Sequence, residues 1–210
     1  MKHLYVGVIV PLAVLLPLVF AVINWKKNIP GTLLIFVYLL AGGITNLAMK
    51  LMAMQKTNNL PLIHLFCAVE FLLVSEFYRV AFGKPANKMK FRLLQASFVL
   101  LCLINAKIRG IYTFNAFPLA IEALVLMLLA VIYFAKLFTS FTEEKITSLA
   151  GFWFNSGFFL YFAGSFIFNL FSNYILLESK AAFNVVLNLR VSFVLLMYLL
   201  FTFAFVKCKK

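Results

Sequence analysis

Between Arg92 and Lys107 the chain reads Leu93-Leu94-Gln95-Ala96-Ser97-Phe98-Val99-Leu100-Leu101-Cys102-Leu103-Ile104-Asn105-Ala106. At ~1.5 Å per helical residue this stretch reaches only ~21 Å, short of a hydrocarbon core of ~30 Å. Arg92 and Lys107 flank it with long aliphatic stems that carry their charges out to the interfaces, so it is read as a short membrane span. Around it lie six longer apolar runs, at about 4–24, 31–52, 61–82, 116–137, 149–176 and 181–206, each long enough to cross a bilayer as a helix. Counting 93–106 gives seven. If that stretch fails to cross, every later helix inverts.

The connections are short and carry helix breakers: Asn28-Ile29-Pro30-Gly31, Thr57-Asn58-Asn59-Leu60-Pro61, Gly83-Lys84-Pro85 and Gly110. No soluble domain fits between the spans, so residues 1–210 are read as a single transmembrane domain. The opening run is read as a first span and not as a cleaved leader, because it is long and contains Pro11 and Pro17. Composition agrees. Of 210 residues 65% are hydrophobic and 12% charged, far from the ~45–50% apolar content of soluble domains.

Nineteen Lys and Arg stand against six acids, all of them Glu. A net charge of +13 in a soluble protein would suggest nucleic acid. Here the cations sit between apolar runs, where they set topology and face anionic lipid, so no nucleic-acid partner is expected. With the N-terminus outside, the cytoplasmic side holds Lys26, Lys27, Arg79, Lys84, Lys88, Lys90, Arg92, Lys136, Lys145, Lys207, Lys209 and Lys210. The outer side holds Lys2, Lys50, Lys56, Lys107, Arg109 and Lys180. That excess favours N-out and C-in, in a cytoplasmic or inner membrane. The expected fold is all-α: a polytopic seven-helix bundle.

Ionisable groups at membrane depth are costly and mark candidate sites. Glu70, nine residues past Pro61, lies ~14 Å in, close to the midplane. Arg190 reaches a similar depth in the seventh span, and Glu122 lies ~9 Å in from the outer end of the fifth. Lys50 and His64 sit near the outer rim. Depth therefore matches Glu70 with Arg190, and Glu122 with Lys50. Glu76 and Arg79, three apart, are placed for an i,i+3 pair at the cytoplasmic end, either a neutralised interface pair or a switch. In the sixth span Asn155, Phe158, Tyr161 or Phe162, Ser165, Asn169 and Asn173 share a face. Gly157 and Gly164, seven apart, admit a neighbouring backbone. In the seventh, Asn184, Asn188 and Ser192 recur every four residues. Facing each other, the two stripes would form either hydrogen-bonded glue between helices or a hydrated path for a ligand or ion.

The inventory excludes more than it assigns. Without a single Asp there is no intramembrane aspartyl protease, DxxxD prenyltransferase or CDP-alcohol transferase site. His3 and His64 form no HExxH, no Gly-x-Ser-x-Gly is present, and no Lys stands in the seventh span for a retinal Schiff base. Cys67, Cys102 and Cys208 make no CxxC motif. No cofactor or metal is expected, and oligomeric state is not legible. Lipid enzymology would have to use His64 with Glu70, which are ~120° off a common helical face.

Three stretches resemble a pattern found in small seven-span bacterial membrane proteins without an assigned activity. They are Asn59-Leu60-Pro61-Leu62-Ile63-His64-Leu65 with Glu70-Phe71; Phe114-Asn115 with Glu122 and Tyr133-Phe134-Ala135-Lys136; and Phe152-Trp153-Phe154-Asn155-Ser156-Gly157 with Tyr161-Phe162-Ala163-Gly164-Ser165. The resemblance implies seven spans and weight on Glu70, Glu122 and Asn155. It also implies a His in the last span where this chain has Asn184. Sugar transporters of three-plus-one-plus-three topology are similar in span count, with Ala41–Asn46 and Ala163–Asn169 in equivalent places. The expected function is a sensory or small-ligand-binding module that signals to a partner protein through its basic loops. The alternatives are a small-solute transporter and, third, a lipid-modifying enzyme.

Overall fold

The computed structural model describes residues 5–25, 30–83, 87–140, 146–178 and 180–208, with side chains at all of these except 172–180. Lys2, His3, Lys26, Lys27, Lys84, Lys145, Lys209 and Lys210 lie outside the described residues, as does the side chain of Asn173. Seven helices are long and apolar enough to cross a membrane: α1 (Tyr5–Ile23), α2 (Thr32–Met54), α3 (Leu60–Phe82), α4 (Lys88–Arg109), α5 (Ala116–Ser140), α6 (Ala150–Glu178) and α7 (Lys180–Lys207). The chain is all-helical among the described residues, which fits a multi-pass membrane protein, since in hydrocarbon a helix satisfies its own backbone.

Helix α4 differs from the short span read in the sequence. It has 22 residues, ~33 Å at ~1.5 Å each, and needs no thinned bilayer. Its start is set by Asn87, whose side-chain oxygen accepts from the backbone N–H of Met89 at 2.9 Å and of Lys90 at 3.3 Å. Its end is set by Gly110, at φ 84°, whose N–H donates to the Ala106 carbonyl. The cationic ends, Lys88, Lys90, Arg92, Lys107 and Arg109, belong to the helix and are exposed.

Helices α1, α2, α3, α5, α6 and α7 close into a ring of neighbours, and α4 packs outside it against α3 and α5. One face of α4 turns Gln95, Phe98 and Cys102 inward; the other exposes Leu93, Leu100, Leu103 and Ile108. Phe71 of α3 stacks on Phe98 with ring centroids 3.9 Å apart, which fixes α4 to the bundle. Helix α1 is irregular for a chemical reason. Pro17 has no N–H for the Ala13 carbonyl, and the helix breaks at Val14. Pro11 likewise gives nothing to Gly7, where the chain opens into a π-helical turn, and Lys50 of α2 donates to the Gly7 carbonyl at 3.2 Å.

The interior is aromatic. Phe71, Tyr78, Phe154, Phe158, Phe162, Phe201 and Phe205 are all fully buried. Between α6 and α7 the contact is made by rings seated on glycines: Phe201 over Gly157 and Phe193 over Gly164. The glycines therefore admit side chains and not a neighbouring backbone.

Candidate functional site

Helix α3 carries Glu70 midway along its length, and the side chain is buried. Helices α2, α6 and α7 bring Tyr38, Tyr161 and Tyr198 to the same point, and α7 adds Arg190. These five line a partly enclosed cavity of about 280 Å³. Its upper wall comes from Val6 and Val10 of α1, Thr45 and Asn46 of α2, Ile63 of α3 and Phe114. These residues stand at the N-terminal ends of α1 and α3 and toward the C-terminal end of α2, so the cavity runs from the N-terminal face to mid-bundle.

Tyr38 Oη donates to Glu70 Oε1 at 2.9 Å, and the Tyr161 hydroxyl stands beside the same carboxyl. Arg190 faces the cavity with its guanidinium 5.1 Å over the Phe168 ring. Its Nε is buried without a hydrogen-bond partner. Glu70 and Arg190 are thus brought together, as their depths suggest, but no ion pair closes between them within 4.0 Å. Below Glu70, Phe71, Phe77, Phe154, Phe158 and Phe201 close the bundle with rings.

The other candidate residues lie elsewhere. Glu122 of α5 is buried against Cys67 of α3 and Cys102 of α4, with Oε1 unpartnered. Lys50 is committed to the Gly7 carbonyl and does not pair with it. His64 Nε2 lies 3.0 Å from the Thr113 carbonyl and helps tie α3 to the 110–115 connection; it does not line the cavity with Glu70. Asn105 Nδ2 donates to Asn115 Oδ1 at 2.8 Å on the same side of the bundle. Glu76 and Arg79 form an ion pair at 2.6 Å, extended by Arg92 at 3.8 Å. Gln95 of α4 joins it by donating to Ser75 and Glu76, so the cluster fastens α4 to α3. Lys136 of α5 donates to the Ala81 and Phe82 carbonyls, satisfying the end of α3.

Of the sixth-span polar stripe, Asn155 turns away from α7. Asn155 points to α3 and α5: it accepts from Tyr78 Oη at 2.8 Å and donates to the Ala130 carbonyl at 3.0 Å. Ser165 and Asn169 are buried, Asn188 is half-buried, and Asn184 is exposed. Ser192 is also exposed; its hydroxyl donates to the Asn188 carbonyl at 2.9 Å and lies 2.9 Å from Tyr5 Oη of α1. Phe193 and Phe201 occupy the seam between α6 and α7 at Gly164 and Gly157. The Ala163–Asn169 segment also differs in use from Ala41–Asn46. Gly42, Thr45 and Asn46 line the cavity, whereas Gly164 lies beneath Phe193.

Tyr38, Tyr198 and Thr45 are the site residues that depth alone does not find. A signal existed in α2, where Tyr38, Gly42, Thr45, Asn46 and Met49 recur at helical spacing on one face. The Tyr78–Asn155 bond predicts a measurable coupling. In a double-mutant cycle with Tyr78→Phe and Asn155→Leu, the interaction energy is expected at about 0.5–2 kcal/mol, the range of interhelical hydrogen bonds in membranes. Additive effects would show that the two groups do not bond.

Compared with protein-family models, with curated proteins and with solved structures, the chain has no match. The functional reading therefore rests on the cavity alone.

Proposed function

We propose that this is a seven-span receptor-type membrane protein, N-out and C-in, that binds a small polar ligand in the cavity at Glu70 and passes the signal to a partner protein through its cytoplasmic basic loops. The observation that carries the reading is the unclosed pair. Glu70 and Arg190 face one space inside an apolar bundle, where an unpaired charge is expensive, without satisfying each other. The aromatic packing beneath favours a closed-ended binding site over a through-path. Transport stays as the second reading, because a rocking bundle opens such a floor by rigid-body motion.

Two measurements test this. Reporter fusions after Lys210 and within the connection at Lys56 are expected to report opposite sides, the latter external; the same side for both overturns the topology. Asn46 is exposed at the cavity wall, and Cys67, Cys102 and Cys208 are buried, so native thiols give little background. A membrane-impermeant maleimide added to whole cells is expected to label Asn46→Cys, and failure to label it removes the external mouth. Proteoliposomes that accumulate a ligand shown to stabilise the purified chain would make the protein a transporter.

A further inference from the structure

We propose that the cavity takes a small zwitterion of the α-amino acid type with an apolar side chain, its ammonium on Glu70 and its carboxylate on Arg190. The proposal rests on reading the cavity as a ligand site and names what fills it. The two charges stand on different helices, α3 and α7, and line one space without an ion pair within 4.0 Å. Tyr38 holds the Glu70 carboxyl by donating to Oε1 at 2.9 Å, with the Tyr161 hydroxyl beside it, and the carboxyl faces the cavity, where a ligand ammonium would meet it. Arg190 has no hydrogen bond through its guanidinium among the described residues; Phe168 supports its face from 5.1 Å. A carboxylate suits that planar fork of donors.

Charge balance selects the dipolar class. A simple anion would answer Arg190 but leave the Glu70 carboxyl beside a like charge, and a simple cation would do the reverse at Arg190. A zwitterion answers both and adds no net charge to a site walled by hydrocarbon. Tyr161 and Tyr198 supply hydroxyls around the same point. Much of the remaining wall is apolar, through Val10, Ile63, Phe66, Phe114, Leu119 and Val194, which suits an apolar side chain. At about 280 Å³ the space falls just under the ~300–1,000 Å³ of drug-sized sites, so it suits a single amino acid and not a peptide.

The test uses the full chain in lipid nanodiscs and titration calorimetry. The probes are L-leucine, L-phenylalanine, 4-methylpentanoate, which lacks the ammonium, and 3-methylbutylamine, which lacks the carboxylate. One of the amino acids is expected to bind at least tenfold more tightly than either singly charged probe. Glu70→Gln is expected to shift preference toward the acid, and Arg190→Gln toward the amine. A variant that gains a ligand has folded, so this exchange separates recognition from damage. Equal or tighter binding of the acid or the amine to the wild-type chain overturns the zwitterion. If that binding is lost in Thr45→Trp, which fills the cavity, the ligand site survives and only its class is wrong. No binding by any probe overturns the proposal, and an unlabelled Asn46→Cys alongside it would take the cavity reading as well.

Discussion

Gly157→Leu is expected to prevent accumulation of folded protein, and Gly157→Ala to lower its stability by about 1–3 kcal/mol, the cost of overfilling a packed interior. A Cβ at this position would lie 2.7 Å from Phe201 Cε1 and 3.5 Å from Met197 Cγ. Phe201 has nowhere to retreat. It is fully buried, with ring centroids 5.5 Å from Phe154 and 4.8 Å from Phe158, both of them also fully buried. Gly164 makes the informative contrast. A Cβ there overlaps Phe193 more severely, yet Phe193 is only half-buried and can turn outward. Gly164→Ala is therefore expected to cost less than Gly157→Ala. Melting temperatures of the two purified variants decide the order, and the reverse order would mean that α6 and α7 meet through different residues.

Glu70→Ala is expected to abolish ligand binding and to destabilise the bundle by about 1–3 kcal/mol, because it strands the buried Tyr38 hydroxyl and leaves a void beside it. Glu70→Gln is expected to abolish zwitterion binding while keeping nearly the wild-type melting temperature. Its amide oxygen accepts the Tyr38 bond as the carboxyl does. The comparison separates two physical states of the site. Were Glu70 ionised and locked to Arg190, Gln would be almost as damaging as Ala, since either one leaves a buried cation unpaired. The absence of an ion pair within 4.0 Å argues for the milder outcome. Wild-type stability and binding in both variants would remove Glu70 from the site.

Counting residues along the spans brought the right pair together once and the wrong pair once. Glu70 and Arg190 were matched by counting residues from the ends of their spans, and both line one cavity. The same count matched Glu122 with Lys50, which the bundle keeps apart. Glu122 faces the two cysteines and Lys50 caps Gly7, whose carbonyl Pro11 leaves unclaimed in α-helical register. The shortness assigned to the fourth span came from hydropathy alone; the Asn87 cap, legible in Asn87-Lys88-Met89-Lys90, places its true start.

What the sequence determined by itself is the set of seven membrane-length helices, their breakers, and the position of each charged group along its helix. A bilayer is a slab whose polarity varies along one axis, so position along an apolar run translates into depth. What only the tertiary structure decided is azimuth: that Asn155 bonds Tyr78 and Ala130, that Gly157 and Gly164 receive phenylalanine rings, and that three tyrosines gather around Glu70. Lipid and bundle interior are both apolar, so a helix in this chain carries no strong contrast to mark its inner face, and the packing of rings against small residues settles the rotation.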